Sequence, residues 1–366
     1  SPISSYKLDC TIYLSNIPKQ SFSVETEGTN TSGTLGFAGN IVYQNKNIFK
    51  AGEILEVKIK GALEAQMKTN LKKDEAIISG TEDVIPFNTL QLGGEVNLRV
   101  PRFLTPFRIN STKSNNAKTN FMSSYNYQLR PGNYGRSISN LSYGYSWKET
   151  AAKQHVINPM EFNLVNIDII DANLQYIIDN SKDLFLKNSY SDHFTLGSRY
   201  AFIFNNQEIR KKKNFSYFRF GAEGAGNAMR GIFSLIDKNV PLDYYPDTLY
   251  KPDGAIDAIE KNYTIEHIRF SQYVRFDFDY RYYKLLNDKD KFVFRFAVGV
   301  GKPFYNLREL PLEKSFFGGG PNSLRAWQAR TLGPGGYADS TGKNTADKIG
   351  DNKIEANFEY RFNVIK

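Results

Sequence analysis

The fold is decided by one stretch of the sequence, Val274-Arg-Phe-Asp-Phe-Asp-Tyr-Arg-Tyr282. Apolar or aromatic side chains alternate with charged ones along it, residue by residue. Because successive side chains of a β-strand point to opposite faces, the stretch predicts a strand with one aromatic and one charged face. The same alternation recurs at residues 292–301 and 354–362. The sequence therefore predicts an all-β protein.

The composition excludes several other classes of protein. The chain has 366 residues and a net charge of +9, with 27 Phe, 23 Tyr and 2 Trp. No apolar run approaches the roughly 18 residues of a membrane-spanning helix. The many aromatic side chains argue against disorder. The one dense basic run, Arg210-Lys-Lys-Lys213, indicates a solvated turn, so we expect no nucleic-acid partner.

Catalytic and metal-binding patterns are missing from the sequence. A single Cys10 excludes a disulfide framework, and the three His residues are too far apart for a zinc site. Gly221-Ala-Glu-Gly-Ala-Gly226 is similar to a phosphate-binding loop only superficially, because we predict a strand continuing to residue 230 and no helix after it. We expect no enzyme activity, no cofactor and no metal site.

Alternating strands occur both in soluble β-sandwiches and in membrane β-barrels. Here the apolar faces are almost purely aromatic or aliphatic, and the polar faces mix both charge signs. A lipid-facing exterior around a polar lumen predicts this combination, whereas a sandwich places its polar face in bulk water. We therefore predict a transmembrane antiparallel β-barrel.

The spacing of the strands supports the barrel. About twelve strands are predicted, at residues 22–30, 33–45, 52–68, 86–100, 119–130, 134–148, 155–167, 191–206, 214–230, 264–285, 290–303 and 352–363. Connections after even-numbered strands are mostly short, whereas long ones such as 231–263 and 304–351 follow odd-numbered strands. This asymmetry is typical of outer-membrane barrels, with the long loops outside the cell.

The longest connection contains a glycine-rich stretch, residues 316–336. Gly318, Gly319 and Gly320 permit backbone angles that are closed to other residues. The stretch also carries apolar side chains that favour burial, namely Phe316, Phe317, Pro321, Leu324 and Trp327. We therefore expect the loop to fold into the barrel and to carry Arg325 with it.

A buried guanidinium needs a carboxylate partner. The polar strand faces offer four candidates for Arg325, of which Glu359 and Asp277 are preferred over Asp279 and Glu355. The alternative interpretation is a surface turn with Arg325 in water.

The same loop carries a family resemblance. Leu324-Arg325-Ala326-Trp327, introduced by Phe317-Gly-Gly-Gly-Pro-Asn-Ser323, resembles the sixth-loop motif of the BamA/TamA outer-membrane assembly family. The commoner family form has Arg-Gly followed by Phe or Tyr. The departure at Ala326 and Trp327, with the trailing Arg330-Thr-Leu-Gly-Pro-Gly335, is similar to the TamA-like (TamL) lipoprotein branch of Bacteroidota. The motif residues are Gly318, Gly319, Gly320, Asn322, Ser323, Leu324, Arg325, Ala326 and Trp327.

Two further stretches extend the resemblance over residues 20–366. Residues 34–49 resemble the second strand of the family, and residues 353–362 resemble the strand after the sixth loop. The resemblance implies a sixteen-stranded barrel at residues 21–366, apparently incomplete at its carboxy-terminal end because only twelve strands are visible. Residues 1–20 would be the end of a periplasmic POTRA domain.

The resemblance also implies roles for particular residues. Arg325 would anchor the inward-folded loop against acidic residues of the barrel wall. Phe22, Val24, Thr26 and Gly28 would lie in the first strand of a lateral gate.

The implied function is the insertion or translocation of client β-barrel or surface proteins at the outer membrane of a Gram-negative bacterium. The partners would be client outer-membrane proteins, membrane lipid, and accessory lipoproteins or periplasmic assembly factors. Two alternatives stay open at this point. One is a two-partner-type secretion pore with a conducting lumen, and the other is a surface barrel whose long loops bind a ligand.

Overall fold

The computed structural model describes most of the chain between residues 18 and 363. The described stretches are 18–31, 34–65, 89–105, 115–131, 134–180, 190–208, 213–236, 244–250, 256–265, 267–287, 289–304, 309–327, 329–332 and 348–363, with the single residues 11, 13, 187 and 306. The predicted POTRA segment at residues 1–20 therefore lies almost wholly outside the described residues.

Strands dominate the described residues. In chain order the elements are β1 (Gln20–Thr31), β2 (Thr34–Lys46), β3 (Ile54–Ala65), β4 (Thr89–Val100), β5 (Asn115–Arg130), β6 (Tyr134–Lys148), β7 (Lys153–Ile169), α1 (Ala172–Asn180), β8 (His193–Asn205), β9 (Phe215–Ala225), α2 (Asn227–Ile236), β10 (Tyr244–Tyr250), β11 (Ile256–Ile265), β12 (Ile268–Phe270), β13 (Tyr273–Leu285), β14 (Lys291–Pro303), β15 (Phe316–Phe317), β16 (Ile349–Gly350) and β17 (Asn352–Arg361). Neither helix is long and apolar enough to cross a membrane.

Twelve of the strands form one antiparallel meander. Its order is β1 to β9, then β13, β14 and β17, each paired with its neighbours. The twelve strands correspond to the twelve predicted from the sequence. Within the described residues the sheet is open, since β1 and β17 are its two end strands and are not paired with each other.

The long connections lie at one edge of this sheet. Residues 66–88, 170–192, 226–272 and 304–351 all connect strands at that edge. The opposite edge has shorter connections, of which the longest is 101–114. The predicted asymmetry of the connections is therefore confirmed.

Two predicted strands need correction. β9 ends at Ala225 and not at residue 230, because Gly226 takes a positive φ of 72°. The chain then enters α2, so the expectation that no helix follows Gly226 is wrong. The predicted strand at 264–285 is also divided, since Ser271 and Gln272 separate β12 from β13.

The two faces of the sheet differ as the alternation predicts. On β13, Phe276 lies on one face, while Arg275 and Asp277 lie on the other and carry ion pairs. Large apolar side chains remain exposed on the first face, among them Phe22, Val24, Ile41, Ile59, Val96, Phe294, Ile354 and Phe358. Ile354 is 77% exposed and Phe358 69%. An apolar surface that extends from β1 to β17 is expected where a sheet faces lipid.

The polar face wraps around the described residues of the connection 304–351. Side chains of this connection contact residues of β6, β7, β8, β9, β13, β14 and β17. The apolar face is therefore the outside of the fold, and the polar face lines its interior.

Candidate functional site

The site is built on the loop that follows β14. Gly319 and Gly320 adopt positive φ angles of 84° and 91°, which favour glycine. The Gly320 N–H donates to the Trp327 carbonyl at 2.8 Å, and the Arg330 N–H donates to the Gly318 carbonyl at 3.1 Å. These two bonds close residues 318–330 into a compact turn. We call residues 320–327 the loop tip.

Polar contacts attach the loop tip to β14 and β17. Arg295 Nη1 donates to the Asn322 carbonyl at 2.9 Å, and Ser323 Oγ donates to Glu355 Oε2 at 2.6 Å. Lys353 Nζ donates to Ser323 Oγ at 3.3 Å. The motif residues Asn322 and Ser323 therefore make the central contacts of the loop tip.

Arg325 makes one ion pair at the rim of this contact. Its Nη2 donates to Glu359 Oε1 at 2.8 Å, and Arg361 binds the other oxygen of the same carboxylate at 2.7 Å. The Arg325 side chain is 66% exposed, so the expectation that it is buried is wrong. The structure thus brings Arg325 to Glu359 and not to the other three candidate carboxylates.

The expected burial of the apolar tip residues also fails. Pro321 and Leu324 are exposed, and Trp327 is 52% exposed. The reason is that the contacts of the tip lie on β14 and β17 alone, which leaves its far side uncovered among the described residues. A pocket of about 130 Å³ lies under the tip, lined mostly by polar side chains of the tip and of β13, β14 and β17.

The better buried guanidinium at this site belongs to Arg295 instead. It donates to Asp279 Oδ2 at 2.8 Å and to Glu355 Oε1 at 2.7 Å. The Arg295 side chain is 20% exposed and that of Glu355 only 4%. The fourth candidate, Asp277, is paired with Arg219 and Arg275.

A second attachment holds the loop to the other side of the fold. Glu313 pairs with Arg136 of β6 and with His193 of β8. Lys314 Nζ lies 3.1 Å from Glu161 of β7 and 2.6 Å from Glu223 of β9. All of these contacts are part-buried or buried. We call Glu313 and Lys314 the loop clamp.

Between the two attachments the loop packs against glycines of β14. A Cβ atom on Gly299 would collide with the Phe316 ring, and one on Gly301 would collide with Leu310. The Arg275 guanidinium lies 4.2 Å from the centre of the Phe316 ring. Glycine is needed at residues 299 and 301 because the loop lies directly on the sheet there.

Hydrogen bonds also join the end of the loop, at Asp351, to Gly301 of β14 and to Leu310. The Gly301 N–H donates to the Asp351 carbonyl at 2.7 Å, and the Leu310 N–H donates to its carboxylate at 3.3 Å. Burial raises the pKa of the Asp351 carboxyl above its usual range, although the Leu310 N–H opposes this shift.

The four proposed gate residues lie together on the outside of β1. Phe22 and Val24 are 74% and 75% exposed, and Thr26 and Gly28 follow them on the same face. β1 pairs with β2 along its whole length, and its other edge is unpaired among the described residues.

Sequence reasoning missed the most important ion pairs of the site. Arg295 lies in the alternating stretch 292–301 without any further signal, and the clamp residues Glu313 and Lys314 carry none. The glycines at 299 and 301 were a usable signal, because two glycines on the polar face of one strand leave room for a packed segment. Among the described residues, no three His, Cys, Asp or Glu side chains converge as a metal site would require.

Comparison with known proteins finds one similarity to a family model. Residues 262–366 match the Omp85 superfamily domain, a range that contains β12 to β17 and the docked loop. Proteins of this superfamily are non-enzymatic outer-membrane β-barrels that insert or secrete other proteins. None of the curated protein sequences matches the chain.

Proposed function

We propose that the chain forms the barrel of a BamA/TamA-type assembly factor, closest to the TamL branch, which inserts client proteins into the outer membrane through a lateral gate at β1. Its support is the Omp85 match together with a sheet whose apolar face points outward. The long connections would then be extracellular, and POTRA domains would precede β1 in the periplasm.

The observation that carries this proposal is the double attachment of the loop. The loop tip is bound to β14 and β17, and the loop clamp is bound to β6, β7, β8 and β9. A segment held against both sides of the polar face obstructs the lumen, which a secretion pore needs open. The edge of β1, which has no partner strand among the described residues, is then available for pairing with a client strand.

A client strand would add to β1 by β-augmentation, in which main-chain hydrogen bonds supply the affinity. An unpaired strand edge is costly in lipid, so the edge needs a partner whenever it faces the bilayer. A Cβ on Gly28 would meet nothing within 4 Å, so that glycine is not required for packing.

Site-specific photocrosslinking tests the gate. A benzophenone side chain at Val24 or Thr26 of β1 should crosslink to newly made outer-membrane proteins in living cells. The matched control is Tyr125, which also lies on the outer face, 52% exposed, but between two paired strands of the sheet. Equal crosslinking from Tyr125, or none from β1, would contradict the proposal.

Conductance separates assembly from secretion. A variant that releases both attachments, Arg295→Ala with Lys314→Met, should impair client assembly in cells. A secretion pore predicts instead that assembly of other barrels is unchanged while single-channel conductance rises sharply.

A further inference from the structure

Helix α2 exposes a cluster of apolar side chains. Ile232 is 56% exposed, Leu235 69% and Ile236 41%, and no residue of the helix is buried. Contact of such a cluster with water is unfavourable. The gate and the docked loop do not explain it, because α2 takes part in neither.

A chain of aromatic contacts shows on which side of the sheet α2 lies. Phe233 of α2 packs on Phe270 of β12, with ring centres 5.7 Å apart. Phe270 contacts Phe194 at 6.1 Å, and Phe194 contacts Phe162 at 6.0 Å. The neighbour of Phe194 in the chain, His193, binds the loop clamp on the polar face. Phe194 therefore points to the outside, and α2 lies on the outer surface of the fold.

The side chains of α2 point in three different directions around the helix axis. Successive residues of an α-helix are rotated by about 100°, so Leu235 lies about 160° from the sheet-facing Phe233. Ile232 and Ile236 lie between these two positions. The remaining arc carries Asn227, Arg230, Gly231 and Ser234. One side of α2 thus packs on the sheet, one is apolar and exposed among the described residues, and one is polar.

The height of α2 matches the rim of the outer apolar band. The helix starts after Ala225, which pairs with Tyr273. Phe276, which is 46% exposed on the outer face, lies three residues along β13 from that point. At about 3.3 Å per residue the helix begins within roughly 10 Å of the band. The rim of the band is where a membrane interface would lie, and amphipathic helices bind in that interface.

We propose that α2 is an interfacial membrane helix, which inserts Ile232, Leu235 and Ile236 among the acyl chains of the adjacent leaflet. Lipid is the occupant because the rings of Phe233, Phe270, Phe194 and Phe162 seat α2 on the outer face of the sheet beside the apolar band, while Ile232, Leu235 and Ile236 stay exposed. The helix would thereby fix the height of the connection 226–272 relative to the membrane. The inference requires the band to lie in a bilayer, but it does not depend on the assembly activity.

Spin-label accessibility of the purified chain in phosphatidylcholine vesicles tests this. A nitroxide is attached to Leu235→Cys, and separately to Ile232→Cys, in a Cys10→Ser background that removes the only native thiol. Oxygen concentrates in lipid and a nickel chelate stays in water, so both labels should show an oxygen-to-nickel collision ratio several-fold above that of Ser234→Cys on the polar arc.

Two further labels distinguish the possible failures. Phe294→Cys reports the outer band and Asn287→Cys reports the short connection at the opposite edge, in water. A high ratio at 294 with ratios at 232 and 235 equal to that at 287 would overturn the interfacial helix and indicate a protein partner for α2. A low ratio at 294 would overturn it too, since the band itself would then lie outside the bilayer.

Discussion

At the scale of single residues, burial ranks two arginines in the opposite order to the one that the sequence predicts. Arg325 carries the loop motif, yet its ion pair is exposed, and exposed pairs contribute about 0–1 kcal/mol to stability. Arg295 joins two part-buried or buried carboxylates to the main chain of the loop tip. Loss of one partner from a buried network costs about 3–5 kcal/mol, because the remaining charges stay uncompensated.

We therefore predict that Arg295→Ala lowers the free energy of unfolding by about 3 kcal/mol or more. Arg325→Ala, the matched variant, should lower it by about 1 kcal/mol at most. Urea unfolding of the chain in lipid vesicles measures both values. An Arg325→Ala loss as large as that of Arg295→Ala would show that the motif arginine carries the attachment after all.

At the scale of elements, the loop after β14 acts as a strap across the interior. The loop tip contacts β17 on one side of the polar face. The loop clamp contacts β9 on the other side. Lys314 lies between Glu161 and Glu223, whose side chains are 15% and 7% exposed, and Tyr273 donates a 2.5 Å hydrogen bond to Glu223. Two carboxylates so close together require the ammonium group between them.

Lys314→Met should therefore detach the loop from β7 and β9 and increase trypsin cleavage after Arg325 and Arg330. Cleavage rates of the detergent-solubilised chain measure this. Lys289→Met is the control, since Lys289 is exposed in a short connection. Adding Glu161→Gln and Glu223→Gln to Lys314→Met removes the uncompensated charge and should restore much of the protection. Unchanged cleavage in Lys314→Met would contradict the clamp.

At the scale of the whole molecule, the two faces of the sheet should contact different solvents, lipid on the outer face and water on the polar face. Val96 and Asn97 are neighbours near the middle of β4, but Val96 lies on the outer face, 44% exposed, and Asn97 faces Glu56 on the polar face. They differ only in the side of the sheet from which they project.

Val96→Arg should lower the free energy of unfolding in vesicles by about 2–4 kcal/mol, the cost of a cation near the bilayer midplane. Asn97→Arg should have a much smaller effect, because Glu56 can pair with the new charge in an aqueous interior. Urea titrations of the two variants and the parent chain give the comparison. Similar losses for both variants would show that the apolar face does not meet lipid.

The sequence by itself determined the twelve two-faced strands and the edge at which the long connections lie. Both follow from local rules, since side chains alternate along any strand and a connection has the length written in the chain. It also indicated the turn at Gly319 and Gly320, because positive φ angles favour glycine. The limits of β9 were less predictable, because the strand ends where Gly226 meets Ser271 of a distant segment.

Only the tertiary structure decided which charges are buried. The sequence singles out Arg325 by its motif and gives no comparable signal for Arg295 or Lys314. Their different environments arise from contacts between residues far apart in the chain, as in the pairing of Lys314 with Glu161. The position of α2 was decided in the same way, because the aromatic contacts that place it outside the sheet join the connection 226–272 to β8 and β7. Burial and partner choice depend on what a segment meets after folding, which the local pattern does not contain.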